Sequence, residues 1–117
     1  MRKKIVAGNW KMNVDLSESI DLIESIKKIY DHNPDVEVCI APSFPFLKES
    51  CELCQGEKIR VLAQNVNDNL KGAFTGEVSI EMLKSINVDG VIIGHSERRE
   101  YYNEDDDFLL RKLKVSL

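Results

Sequence analysis

Val91-Ile92-Ile93-Gly94-His95-Ser96-Glu97-Arg98-Arg99 decides how this chain is read. Its first three residues are apolar and β-branched, as in a strand buried on both faces. The strand runs directly into Gly94-His95-Ser96, a polar strand-to-helix turn. In parallel α/β sheets, chemistry collects beyond the C-terminal ends of strands, where this cluster would lie.

Upstream, the same alternation repeats. Lys4-Ile5-Val6-Ala7-Gly8 opens as a short apolar strand and passes into Asn9-Trp10-Lys11-Met12. Asp15 and Glu18 then have the spacing of a capping box. Leu16, Ile20, Ile23, Ile26 and Tyr30 recur every three or four residues, one face of a helix that Asn33-Pro34 stops. Val36–Ala41 predicts a second strand, broken by Pro42-Ser43-Phe44-Pro45. Phe46 to Gln55 predicts a short helix with Gly56 as its C′ residue. Ile59–Ala63 predicts a third strand, followed by Gln64-Asn65 and a polar loop over Asn67–Val78. Ser79 caps a helix carrying Ile80, Met82, Leu83 and Ile86. Asp89-Gly90 turns the chain into the fourth strand, Val91–Ile93. Asp105 caps a last helix with Phe108, Leu109 and Leu113 toward the core. Four strands alternating with four helices imply a parallel sheet with right-handed crossovers.

Each strand delivers polar groups to one end of that sheet. The first delivers Asn9 and Lys11, the second Ser43, the third Gln64 and Asn65, the fourth His95, Ser96 and Glu97. Asn9 and Lys11 lie two apart, so an extended segment points both to the same face. A Lys in a strand-end pocket suits an anion such as a phosphate. A histidine at a helix N-terminus meets the positive end of the dipole, which favours neutral imidazole as a hydrogen-bond donor. No G-x-x-x-x-G-K or G-x-G-x-x-G stretch is present, so nucleotide binding has no support and no cofactor is expected.

Composition narrows the classes further. The 117 residues carry 16 Lys plus Arg against 20 Asp plus Glu, a net charge of −4. That balance argues against nucleic-acid binding. No apolar run approaches the roughly 20 residues of a membrane span. The apolar stretch after Met1-Arg2-Lys3-Lys4 breaks at Asn9, too soon for a secretory leader. A cytoplasmic protein is expected. Three cysteines do not build a disulfide framework. Cys51 and Cys54 are spaced C-x-x-C, but no second ligand pair accompanies them, and His32 and His95 stand apart. They are read as two thiols on one helix, with no metal site.

Three segments together resemble the triose-phosphate isomerase family. They are Ala7-Gly8-Asn9-Trp10-Lys11-Met12-Asn13, then Gln64-Asn65-Val66 with Gly72-Ala73-Phe74-Thr75-Gly76-Glu77, and Gly94-His95-Ser96-Glu97-Arg98-Arg99. The resemblance runs through the whole chain, residues 1–117, as one N-terminal half without a second domain. It implies an α/β fold, the first four βα units of a (β/α)8 barrel. It implies interconversion of dihydroxyacetone phosphate and glyceraldehyde 3-phosphate through an enediolate, in glycolysis and gluconeogenesis. By position, Asn9 and Lys11 would contact the triose phosphate substrate, and Lys11 would offset its charge. His95 would be the catalytic electrophile, and its neutral state is an established example drawn from this family. Glu97 would support Lys11 by ion pairing. Phe74 and Thr75 would lie at a homodimer interface, with Thr75 reaching the partner's site. Asp105 stands where the family more often has Ser or Thr, and Tyr102 where it often has Phe.

The chain departs from the family in length, since a (β/α)8 barrel takes about 250 residues. The family's glutamate base, lid and phosphate-binding amides follow the fourth strand, so the 117 residues alone are expected to be inactive. A half barrel would also leave two open sheet edges and is expected to self-associate or fold poorly. The alternative is a non-catalytic half-barrel module that binds a phosphate compound or a protein partner. Another phosphate-sugar barrel, or a flavodoxin-like sheet, fits the three segments less well.

Overall fold

A computed structural model describes residues 2–30 and 33–117. His32 lies outside the described residues. Four strands, β1 (Lys4–Asn9), β2 (Val36–Ala41), β3 (Ile59–Ala63) and β4 (Gly90–Val91), form one sheet in the order β1-β2-β3-β4. Each neighbouring pair is parallel, with Val6 opposite Val38, Cys39 opposite Arg60 and Ala63 opposite Val91. The order never reverses. A flavodoxin-like sheet requires a reversal, so that alternative falls. The architecture is an α/β fold consistent with the first βα units of a (β/α)8 barrel.

The crossovers contain α1 (Leu16–Ile29), a 3₁₀ turn at Phe44–Phe46, α2 (Leu47–Leu53), α3 (Ile80–Ser85), α4 (Ser96–Tyr101) and α5 (Asp106–Ser116). The expected caps form. Glu18 N–H donates to Asp15 Oδ1 at 2.9 Å, and Asp15 N–H donates back to Glu18 Oε1 at 3.2 Å. Ser79 Oγ accepts from Met82 N–H, and Asp105 Oδ1 accepts from Phe108 N–H. Each cap satisfies a donor that the first helical turn leaves open.

The core takes strand residues of one parity. Ile40 from β2 and Ile59, Val61 and Ala63 from β3 meet Ile23, Leu47, Ile80 and Leu83 from the helices. Residues of the other parity, including Ile5, Glu37, Arg60 and Leu62, take no part in that cluster. They form the concave face, where Arg60 pairs with Glu37.

Several expectations shift. β4 covers Gly90–Val91 rather than Val91–Ile93. A strand extends only as far as its neighbour pairs with it, although Ile92 N–H still reaches Ala63 C=O at 2.8 Å. The second helix splits, because Pro45 starts a 3₁₀ turn before α2, and its C-cap is Cys54. Gly56, at φ +82°, therefore reverses the chain one residue beyond C′. α4 is a fifth helix that the four-helix count omitted. Leu109 is buried on α5 as expected, but Leu113 is exposed and Lys112 is buried. Leu16 is exposed too, so α1 meets the core through Ile23 with Ile26 beside it.

Candidate active site

The C-terminal strand ends enclose a cleft of about 480 Å³ lined by Asn9, Lys11, Ser43, Gln64, His95 and Glu97, with Phe44, Tyr101 and Tyr102 at its apolar side. Clefts of about 470 and 460 Å³ lie at the other end of the sheet. Polar groups from all four βα units converge only in the first, which makes it the functional candidate.

Lys11 is not on an extended segment. It has φ +56°, a left-handed conformation that a side-chain-bearing residue adopts at a cost of order 1 kcal/mol. The shared face read from the Asn9–Lys11 spacing is thus reached through a turn and not through strand alternation. The turn is held from three sides. Lys11 N–H donates to Asn9 Oδ1 at 3.0 Å. Ser43 Oγ donates to Lys11 C=O at 2.7 Å. Gln64 Nε2 donates to the same carbonyl at 2.8 Å and to Ala41 C=O at 2.8 Å. Ser43 and Gln64 thus position Lys11 with their polar groups.

The turn aims Lys11 Nζ at Glu97 Oε1, 2.5 Å away across 86 residues of sequence. Both side chains are about half exposed, so water screens the pair and it adds little stability. Its effect is local. The hydrogen bond and charge of Lys11 hold the Glu97 carboxyl below the usual range.

His95 is the N-cap of α4, and its Nδ1 accepts from Glu97 N–H at 3.1 Å. Glu97 Oε2 lies 3.6 Å from the same nitrogen. One nitrogen cannot accept from the amide and donate to the carboxylate. The shorter, directional amide bond prevails, so Nδ1 is unprotonated and the proton sits on Nε2. The ring is then a neutral donor. Gly94, at φ +74°, makes the turn possible. A Cβ there would stand 3.0 Å from both Arg99 Nη2 and Leu109 Cδ1.

Asn65 borders the cleft, but its side-chain oxygen is turned to a buried network. Its Oδ1 accepts from the buried Lys112 Nζ at 2.7 Å. Lys112 Nζ also donates to Glu104 Oε2 at 2.6 Å, and Arg98 Nε donates to that oxygen at 2.9 Å. Burial pushes the Glu104 carboxyl up, but hydrogen bonds from Lys112 and Arg98 outweigh it and leave it lowered. This network beneath the cleft was missed in the sequence. The signal was faint: Lys112 stands one turn from Leu109.

Thr75 and Phe74 are exposed on the loop after β3 and do not line this chain's own cleft. The loop is closed at its base by Asn67 N–H to Val78 C=O and by Asn67 Nδ2 to Glu77 Oε1. Cys51 and Cys54 are free, and burial pushes each thiol to about 11. Among the described residues, no three His, Cys, Asp or Glu side chains cluster to hold a metal ion, and no helix is long and apolar enough to cross a membrane.

The sequence profile of the family described as triosephosphate isomerase matches residues 4–117. The chain belongs to that family. Similar relatives bear the name triosephosphate isomerase. One from Alkaliphilus metalliredigens is 45% identical over 117 residues, covering 100% of this chain and 47% of its own length. One from Clostridium tetani is 48% identical, covering 99% and 45%. One from Fusobacterium nucleatum is 39% identical, covering 100% and 47%. The chain spans about half the length of the curated relatives it matches.

Proposed function

We propose that this cleft is the electrophilic, anion-binding part of a triosephosphate isomerase site, acting on dihydroxyacetone phosphate and glyceraldehyde 3-phosphate in cytoplasmic glycolysis and gluconeogenesis. The observation that carries this reading is the Lys11–Glu97–His95 cluster, with His95 Nδ1 engaged by a backbone amide. His95 Nε2–H donates to the substrate carbonyl oxygen and polarises it. As a proton leaves the adjacent carbon, negative charge develops on that oxygen, and the Lys11 ammonium and His95 Nε2–H stabilise it. His95 then passes a proton between the two oxygens of the enediolate. Asn9 contacts the substrate and fixes the Lys11 turn. Phe74 and Thr75 meet a second subunit in a family-type homodimer.

The step for which the cleft offers no free base is removal of the carbon-bound proton. Among the described residues lining the cleft, Glu97 is the one carboxylate, and Lys11 occupies it. A general base contributes roughly 10²–10⁴-fold, so these 117 residues alone turn over slowly or not at all. The second reading, a binding module for phosphate compounds, draws on the same surplus of donors over carboxylates. A coupled isomerase assay, paired with calorimetric titration of dihydroxyacetone phosphate, separates them. Binding without turnover that Lys11→Met abolishes supports the incomplete site. Turnover by the 117-residue chain refutes the account of the base. Failure to bind refutes both readings.

A further inference from the structure

The cleft of about 470 Å³ at the other end of the sheet has a chemistry of its own. Every residue lining it lies in the stretch 48–89, on α2, β3, α3 and the turns beside them. Its apolar floor is Ile59 and Val61, both buried. Cys51 and Cys54 both line it. Cys54 is 5% exposed, and Cys51 is half-buried. Charge on Cys54 would push the Cys51 thiol up, so the two sulfurs lie within electrostatic reach. The third thiol, Cys39, is on β2 and does not line this cleft.

The backbone holds the pair at bridging distance. Cys51 stands in the last turn of α2, and Cys54 is the C-cap. Cys54 N–H donates to Ser50 C=O at 3.0 Å, and Gln55 N–H donates to Glu52 C=O at 3.3 Å. The helix therefore ends by tightening from α to 3₁₀ spacing, which brings side chains three positions apart into line. Their Cα atoms are about 5 Å apart in an α-helix and about 6 Å in a 3₁₀-helix. A disulfide spans Cα atoms about 4.4–6.8 Å apart.

We infer that Cys51 and Cys54 form a dithiol site, which a small cationic disulfide entering this cleft closes into an intrahelical Cys51–Cys54 bond. Glu52, Glu57 and Asp89 outnumber Lys48 around the cleft, so its field favours a cation over an anion. Cys51, the more exposed, attacks one sulfur of the reagent. That S–S bond breaks and one thiol leaves. Cys54 then attacks the Cys51 sulfur, forms the internal bond and releases the second thiol. The protein gives up two protons and two electrons, and the reagent takes them as two free thiols. Burial slows the first attack. The second is intramolecular, with an effective concentration in the millimolar range or above. The inference does not depend on the chemistry proposed for the other cleft.

Cystamine at about 0.1 mM tests it, on the 117-residue chain near pH 9 and at low salt, where exposed charges are least screened. Cys51→Ser, Cys54→Ser and Cys39→Ser are run alongside. Mass spectrometry after alkylation reads the products, and far-UV circular dichroism checks that each variant keeps the fold. The expected wild-type product has lost two hydrogens, keeps one thiol to alkylate, and returns to three with dithiothreitol. It exceeds the cystamine adduct at least about tenfold, because free cysteamine stays below about 0.1 mM. Cys39→Ser behaves as wild type, Cys54→Ser stops at an adduct on Cys51, and Cys51→Ser forms no internal bond. A wild-type chain that stays reduced or stops at the adduct overturns the inference. So does a bond to Cys39 or between two chains, or closure only in urea. Oxidised glutathione, an anion, is expected to close the pair more slowly, and an equal or faster rate overturns entry through this cleft.

Discussion

Replacing Lys112 by Met tests the buried network most directly. Lys112 and Glu104 side chains are each 1% exposed, so water cannot replace what the substitution removes. Two hydrogen bonds are lost. Asn65 Oδ1 loses its donor, and an unsatisfied buried acceptor costs about 1–3 kcal/mol. Glu104 loses the 2.6 Å bond to Lys112 but keeps Arg98 at 2.9 Å. Its other oxygen, Oε1, already has no partner. Removing one member of a buried pair costs about 3–5 kcal/mol, and the remaining Arg98 bond puts this case near 3 kcal/mol. Total stability is of order 6–18 kcal/mol for a chain of this length, so a large share is lost. The assay is urea unfolding followed by circular dichroism at one fixed protein concentration. The midpoint falls while the slope stays the same. The network also sets an acid limit. The Glu104 carboxyl is lower folded than unfolded, so its contribution is present above the ordinary carboxylate range. It is lost as pH falls through the folded value, and Lys112→Met removes most of that dependence. A loss below about 1 kcal/mol, or an unchanged acid limb, refutes the reasoning.

Gly94→Ala destabilises by about 1–2 kcal/mol, because alanine must adopt φ +74° and displace Arg99 and Leu109; thermal unfolding measures it, and an unchanged midpoint contradicts the turn described. Cys51 and Cys54, with thiols at about 11, react with a thiol reagent about 100-fold more slowly in the native chain than in urea near pH 8. Equal rates in the two states would mean that the thiols are not buried as described.

What the sequence revealed was local or repeated. Asp15, Ser79 and Asp105 act as caps through bonds to residues three positions away, so spacing alone exposes them. The alternation of strand and helix likewise needs only neighbours. Lys112 escaped because its burial depends on Asn65 and Glu104, brought to it by the fold. Leu113 was assigned to the core because periodicity counts apolar residues without knowing what stands opposite, and nothing among the described residues buries it. Lys11 shows an outcome foreseen for the wrong reason, since it reaches the cleft through a left-handed turn. The Lys11–Glu97 contact spans 86 positions and came from family resemblance, not from spacing.

The left-handed turn at Lys11 also sets an order of events. Its two outside supports come from Ser43, 32 positions later, and Gln64, 53 positions later. Closing such loops is slow compared with forming a helix. Until β1, β2 and β3 stand side by side, the lysine has no reason to adopt its strained geometry, and the ammonium wanders. Anion affinity therefore appears late in folding, and a bound anion acts as a probe of how far the sheet has assembled.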